Sequence, residues 1–335
     1  MMAPQRLSEF DVIEQYFAPL AGPAGLGLKD DAALLTVPAD HDLVTTVDAI
    51  VAGVHFLPDD PPATIGWKAL GVNVSDLAAK GAAPLGFLLT LALPADTEAG
   101  WLADFADGLG RAATLWQCPL VGGDTVTMPG PLTLSITAFG TVPKGAMVRR
   151  EGARPGDVLA VTGTIGDAAL GLPLATGQQT AWSEALSASD RAYLMDRYRR
   201  PRPRIGLASL LRDHASAAMD VSDGLLGDAA KLLAISGVGA TIDAQSVPLS
   251  EAARHVLAAH PASLERVLTG GDDYEILCTV PTEKWDSFAA GAVERGVVVT
   301  SIGHVTGDGA LDIMGPQGPL SFARLSYTHF SQERA

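Results

Sequence analysis

Cysteine, aromatic side chains and positive charge are all scarce in this chain of 335 residues: it has 2 cysteines, 6% aromatics, and 23 Lys plus Arg against 38 Asp plus Glu. Cys118 and Cys278 stand alone, with neither the paired spacing of a zinc site nor a disulfide framework, so the expectation is a reduced protein in the cytoplasm. A formal net charge of −15 argues against nucleic acid and anionic membrane as partners, because phosphate backbones are bound by basic surface. Apolar runs are interrupted by Asp, Lys or Pro well short of membrane-spanning length, and the first residues lack the apolar core of a signal peptide. Several catalytic signatures are missing too. There is no Gly-x-x-x-x-Gly-Lys-Ser/Thr loop, no His-Glu-x-x-His, no Gly-x-Ser-x-Gly and no properly placed Gly-x-Gly-x-x-Gly.

What the chain does have is aspartate in short Gly/Ser-bracketed clusters. Val-Ser-Asp precedes Gly-Gly-Asp at 74–76 and 122–124, and the same order returns at 221–223 and 270–272 with nearly equal spacing. Lys29-Asp30-Asp31, Asp48, Asp220 and Asp228 add to the set. Carboxylates gathered this way repel unless cations sit between them, and the cations that prefer oxygen are Mg²⁺, Mn²⁺ or Ca²⁺. An acidic site of this kind still binds a phosphorylated small molecule when metal ions reverse the local sign. The recurrence fits either an internal duplication or two independent acidic loops converging on one cleft.

Length and apolar content (47%) suit two ordinary domains with Ala, Leu and Val cores. Strands are expected at Asp42–Asp48, Leu85–Leu93 and Pro131–Val142, and helices at Pro62–Gly81 and Glu98–Trp116. On the first helix Asn73, Asp76 and Lys80 share a face. Pro119–Val121 reads as a short strand running into a Gly-Gly-Asp turn. Residues 143–157, rich in Gly, Pro and charge, read as a junction between domains 1–146 and 147–335. Beyond it the pattern predicts a strand over 157–162 and helices near 167–174 and over 187–198, the latter stopped by Arg-Arg-Pro-Arg-Pro-Arg. A further helix near 205–214, a strand into Asp220 and a helix after Asp223 come next. Strand, helix and strand then run over 274–280, 282–295 and 297–303, ahead of a weakly alternating tail at 321–330.

The ordered segments Lys-Asp-Asp-Ala-Ala-Leu-Leu (29–35), Val-Asp-Ala-Ile-Val-Ala-Gly-Val-His-Phe (47–56), the run from Lys68 to Pro84, Gly-Gly-Asp-Thr (122–125), the run from Arg149 to Asp157, Met-Asp-Val-Ser-Asp-Gly-Leu (219–225), Gly-Gly-Asp-Asp-Tyr-Glu (270–275) and Tyr-Thr-His-Phe (327–330) resemble the thiamine-monophosphate kinases of the aminoimidazole-ribonucleotide-synthetase-like superfamily. The resemblance implies a two-domain synthetase-like kinase fold: an N-terminal α/β domain that dimerises through its sheet, and a C-terminal α+β domain with the site between them. It implies transfer of the ATP γ-phosphoryl group to thiamine monophosphate, with several Mg²⁺ ions and no general base or covalent nucleophile. By that likeness Asp31, Thr46, Asp48, Asp76, Asp124, Asp220 and Asp223 would hold metal. Gly122, Gly123, Arg150 and Ser222 would contact ATP, and His55, Asp272 and Tyr327 would face the thiamine moiety. Lys29 and Val47 depart from the family pattern, and Asp272 stands where a longer glutamate is common. The alternatives are another ATP-dependent synthetase of the superfamily, acting on a purine precursor or selenide, and a non-catalytic regulator that binds nucleotide and divalent cations.

Overall fold

Buried and half-buried residues alternate along β4 (Thr133–Pro143), as they do in a strand with one face on a core. In the computed structural model, which describes residues 8–327, this strand lies inside the sheet of the first of two units. That unit comprises Met1–Leu77 with Ala82–Gly145 and contains α1 (Glu9–Val12), β1 (His41–Val51), α2 (Pro62–Ala79), β2 (Ala83–Pro94), α3 (Ala99–Leu115), β3 (Leu120–Met128) and β4. Its sheet has the order β1-β4-β2-β3, with only the β2/β3 pair parallel.

Val44, Ile50, Phe87, Leu89, Leu91, Leu134 and Ile136 on one sheet face are buried, as are Leu70 and Val74 of α2 and Phe105 and Leu109 of α3. The two helices cross where side chains are missing. A Cβ on Gly108 would stand 1.9 Å from the Ala63 carbonyl oxygen, and one on Gly66 2.4 Å from that of Phe105. The other sheet face leaves Leu43, Val47 and Val126 exposed.

The second unit, Ala78–Gly81 with Ala146–Ala335, carries β5 (Val158–Thr162), α4 (Asp167–Ala175), α5 (Ala188–Arg199), α6 (Ala208–His214), β6 (Ala217–Asp220), α7 (Leu225–Ser236) and β7 (Gly239–Asp243). It continues through α8 (Glu251–Ala259), α9 (Leu264–Thr269), β8 (Ile276–Val280), α10 (Trp285–Glu294), β9 (Val299–Thr306), β10 (Leu311–Gly315) and β11 (Gly318–Leu320). Seven strands pair in the order β11-β10-β7-β9-β5-β8-β6, with only β10/β7 parallel. Every residue of β6 and β8 is buried, because both sheet faces are covered. One core gathers Leu159, Val161, Met219 and Leu277 with residues of α4, α5, α7, α8 and α9. The other gathers Ala160, Ala218, Ile276 and Cys278 with α6 and α10.

Residues 149–152 do not hang loose as a linker. The Ala218 N–H donates to the Arg149 carbonyl (2.9 Å), and Gly152 lies so close to the Ser216 carbonyl that a Cβ would stand 2.4 Å from it. The chain entering the second unit therefore runs along the edge strand β6. Lys80 does not extend the Asn73/Asp76 helix face: α2 ends at Ala79, and the Lys80 ammonium donates to the Ala218 carbonyl (2.7 Å).

Candidate functional site

In the first unit, β1 delivers Thr46 and Asp48 on the inward face, toward α2. The Thr46 hydroxyl donates to a carboxylate oxygen of Asp76 at 2.5 Å, and the Asp48 N–H donates to the Asn73 side-chain oxygen at 3.0 Å. One turn of α2 thus receives both residues, and Val47 between them points the other way, 61% exposed. His55 lies in the turn after β1. Its Nδ1 accepts from the Val51 N–H (3.1 Å), so the neutral ring carries its proton on Nε2. Its carbonyl receives the buried Lys68 ammonium at 2.9 Å.

Gly122-Gly123-Asp124 is a stretch of strand and not the turn that the sequence suggested. Val121 is an extra residue in β3, so that Phe87 pairs with Leu120 but Leu88 with Gly122, and the bulge re-aims the side chains of the strand beyond it. A Cβ on Gly123 would come 1.9 Å from the Leu89 carbonyl oxygen, so this register of β3 on β2 requires glycine there. Asp124 pairs with Thr90 on β2, in the row of Ser135 and Ala49, whereas Asp48 belongs to the row of Ile136, Leu89 and Gly123. Asp48 and Asp124 therefore sit on the two edge strands, three strand spacings or about 14 Å apart. Asp31 lies in the segment closed by the Leu34 N–H to the Ala24 carbonyl (2.9 Å), which is seated on β3 through Gly22 N–H to the Leu120 carbonyl (2.8 Å). The Asp31 N–H is held by the Asp30 carboxylate at 2.8 Å.

In the second unit, backbone hydrogen bonds stitch three segments together. The N–H groups of Asp272 and Tyr274 donate to the carbonyls of Ser222 and Val221, both at 2.9 Å, and the Tyr327 N–H donates to the Asp223 carbonyl at 3.1 Å. Asp220, buried at the end of β6, leads into this knot, so Asp220, Ser222, Asp223, Asp272 and Tyr327 come together. Residues 321–327 form no regular element, and residues 328–330 of the tail lie outside the described residues. Gly224 turns the chain with φ +118 against the Thr269 carbonyl, where a Cβ would stand at 2.4 Å. Arg150 is exposed, and its carbonyl accepts from the Ser236 hydroxyl at 3.3 Å.

Asp228 and Lys231 explain how the Ser222–Asp223 turn keeps its shape. One carboxylate oxygen of the fully buried Asp228 accepts the N–H groups of Ser222 (3.0 Å) and Asp223 (2.9 Å). The other accepts from the Lys231 ammonium at 2.9 Å, and that ammonium also meets the Asp223 carboxylate at 2.5 Å. Burial pushes the Asp228 acid up, against the pull of Lys231. Burial works against the Lys231 ammonium as well, but its bonds to the two carboxylates raise it overall. Asp228, grouped by sequence with the oxygen ligands, is thus a buried brace of the turn.

Asp273 and Glu275 also turn inward. Glu275 accepts from Arg197 (3.0 Å), from Arg204 (2.6 and 2.5 Å) and from the Thr162 hydroxyl (2.7 Å). Asp273 accepts the Gly166 N–H at 2.6 Å and the Ala168 N–H at 3.3 Å, where α4 begins. Nearby, Asp167 is bonded by Thr164, Tyr193 and Ser250. Burial first, and then the charge of Asp167, lift the Asp273 acid well above the ordinary carboxylate range. Nothing local in the sequence links these partners: the arginines read as a helix stop, and they lie some seventy residues or more from Glu275.

Both units match domains of known proteins. Residues 29–142 match the model of the AIR synthase related protein N-terminal domain, and residues 154–315 that of its C-terminal domain. Over 309 residues the chain is 43% identical to a thiamine-monophosphate kinase of Caulobacter vibrioides, covering 90% of this chain and 85% of that one. The chain belongs to the thiamine-monophosphate kinase family. Among solved structures, thiamine-monophosphate kinase from Stenotrophomonas maltophilia K279a superposes with a TM-score of 0.79 at 40% identity, covering 85% of this chain and 89% of that one. AaThiL complexed with AMPPCP and TMP gives a TM-score of 0.77 at 32% identity, over 98% of this chain and 99% of that one.

The chemistry of the donors fits an oxygen-preferring cation. The Thr46 hydroxyl and Asp76 carboxylate converge, and Asp48 approaches the same turn of α2. Among the described residues no three His, Cys, Asp or Glu side chains form a ready cage.

Proposed function

We propose that the chain transfers the γ-phosphoryl group of ATP to the phosphate of thiamine monophosphate, releasing thiamine diphosphate and ADP. The observation that carries this reading is the likeness over 98% of the chain to AaThiL complexed with AMPPCP and TMP, joined to 43% identity with the Caulobacter enzyme. The acceptor is a phosphate monoester with a second pKa near about 6, so its oxygen is already largely ionised at neutral pH. No side chain has to remove a proton, and direct in-line transfer needs only alignment and screening of two polyanions.

In this reading Asp31, Thr46, Asp48, Asp76, Asp124, Asp220 and Asp223 hold Mg²⁺. The ions, when bound, neutralise phosphate charge so that the two chains approach. Gly122 and Gly123 let nucleotide approach the β3 backbone, Arg150 offers a forked donor to phosphate, and Ser222 contacts ATP. His55, Asp272 and Tyr327 recognise the thiamine moiety. Residues 1–146 supply metal and nucleotide contacts and 147–335 the remainder. The exposed Leu43, Val47 and Val126 on one sheet face support a homodimer formed through that face, which light scattering after size-exclusion chromatography in high salt tests. No helix among the described residues is long and apolar enough to cross a membrane, and the reading places the protein in the cytoplasm.

The deciding experiment supplies ATP, Mg²⁺ and thiamine monophosphate and reads thiamine diphosphate by chromatography. ADP release driven by an aminoimidazole precursor or selenide, and none by thiamine monophosphate, overturns the assignment. Tight ATP binding without transfer in a single turnover would instead mark a non-catalytic regulator.

A further inference from the structure

Residues 270–275 bring two residues other than glycine into the left-handed region, Asp272 at φ +75 and Tyr274 at φ +51. Such conformations persist where the surroundings over-determine them, and they cluster at sites that bind or react. Here the surroundings are explicit. Asp272 and Tyr274 are each tied by backbone N–H to the 221–222 segment, and the Tyr274 hydroxyl donates to the Asp272 carboxylate at 3.2 Å. The intervening Asp273 is 1% exposed and spends both carboxylate oxygens on the backbone entering α4, and Glu275 is fully buried between Arg197 and Arg204.

We propose that Asp273 is a positioning residue for the substrate: by anchoring the 270–275 loop to the start of α4, it fixes the direction in which Asp272 presents its carboxylate to thiamine monophosphate. The proposal rests on Asp272 being a substrate contact. It separates two neighbouring acids by task, the first facing substrate and the second holding the first in place. The loop's other neighbour, the Ser222–Asp223 turn, keeps a brace of its own from Asp228, so loosening Asp273 leaves that turn held.

The test is a double-mutant cycle on Asp272→Ala and Asp273→Asn, read as KM for thiamine monophosphate, KM for ATP, and kcat. Asp273→Asn keeps the size and one acceptor. It is expected to raise KM for thiamine monophosphate about tenfold while KM for ATP stays within about twofold, and to add nothing further in the Asp272→Ala background. Full multiplication of the two effects, or an unchanged KM in Asp273→Asn, overturns the proposal. If Asp272→Ala alone leaves that KM unchanged while Asp273→Asn raises it, the assignment of Asp272 is at fault, and the positioning role falls with it. Folding is checked by circular dichroism. Should Asp273→Asn not accumulate folded, Asp273→Ser, which also retains one acceptor oxygen, enters the same cycle.

Discussion

The Thr46 hydroxyl on β1 donates to the Asp76 carboxylate on α2 at 2.5 Å, joining the strand and the helix that carry three of the acidic-site residues. In Asp76→Asn the amide oxygen still accepts this bond, while the negative charge is gone. Turnover is expected to fall at least about 100-fold, a loss of about 2.7 kcal/mol in the transition state. The thermal midpoint of the metal-free protein should hold or rise, since carboxylate repulsion is relieved. Steady-state kinetics beside a melting curve checks both, and an equal loss of fold and activity counts against a role in metal binding.

Lys231 serves two carboxylates at once, and only one of them has access to water. In Lys231→Met the buried Asp228 charge loses its partner while still holding the Ser222 and Asp223 N–H groups. Because the Lys231 side chain is itself 42% exposed, solvent screening reduces the loss, and about 1–3 kcal/mol of destabilisation is expected in urea unfolding. Lys231→Arg should recover part of it.

Gly123→Ala tests the register of β3. The new methyl would stand 1.9 Å from the Leu89 carbonyl oxygen, so the strands must separate or the bulge at Val121 must move. A cost of about 1–3 kcal/mol in stability is expected, with a raised KM for ATP. Gly27→Ala, where nothing lies within 4 Å, is the control for backbone strain alone, since it too has positive φ.

Asp273 also gives the stability a pH signature. Its acid is raised in the folded state, so its contribution is complete below the ordinary carboxylate value of 3.8 and is lost as pH rises through the elevated folded value. Asp167 and Arg197 are the charged groups facing it. Compared with Asp273→Asn, the wild type should therefore hold its largest relative stability near pH 4 and lose it toward neutrality, as urea midpoints across a pH series will show. A constant difference would mean that Asp273 does not titrate in that range.

Most elements of the first unit are legible because their periodicity is strong: β1, α2, β2, α3 and β4 lie within two or three residues of expectation. Gly122-Gly123-Asp124 misled because glycine and aspartate favour turns locally, whereas pairing with β2 overrides that preference. Strands β7, β10 and β11 are short and carry Gly or Pro at an end, which reads as turn signal and hides them. Helix α8 did carry a signal, the Ser250 N-cap whose side chain accepts the Ala253 N–H. The Arg197 and Arg204 partners of Glu275 had none, since nothing local distinguishes a buried arginine from one that ends a helix.

The chain segment lying along β6 has a consequence for solubility. An outermost strand whose every residue is buried would ordinarily offer its unpaired backbone to a strand from another molecule. Here the Ala218 N–H is taken by Arg149 and the Ala218 carbonyl by Lys80, so an incoming strand finds both Ala218 positions filled. Arg149 and Lys80 thereby seal the middle of this edge against edge-to-edge aggregation, and truncations starting beyond Arg149 should be prone to precipitate.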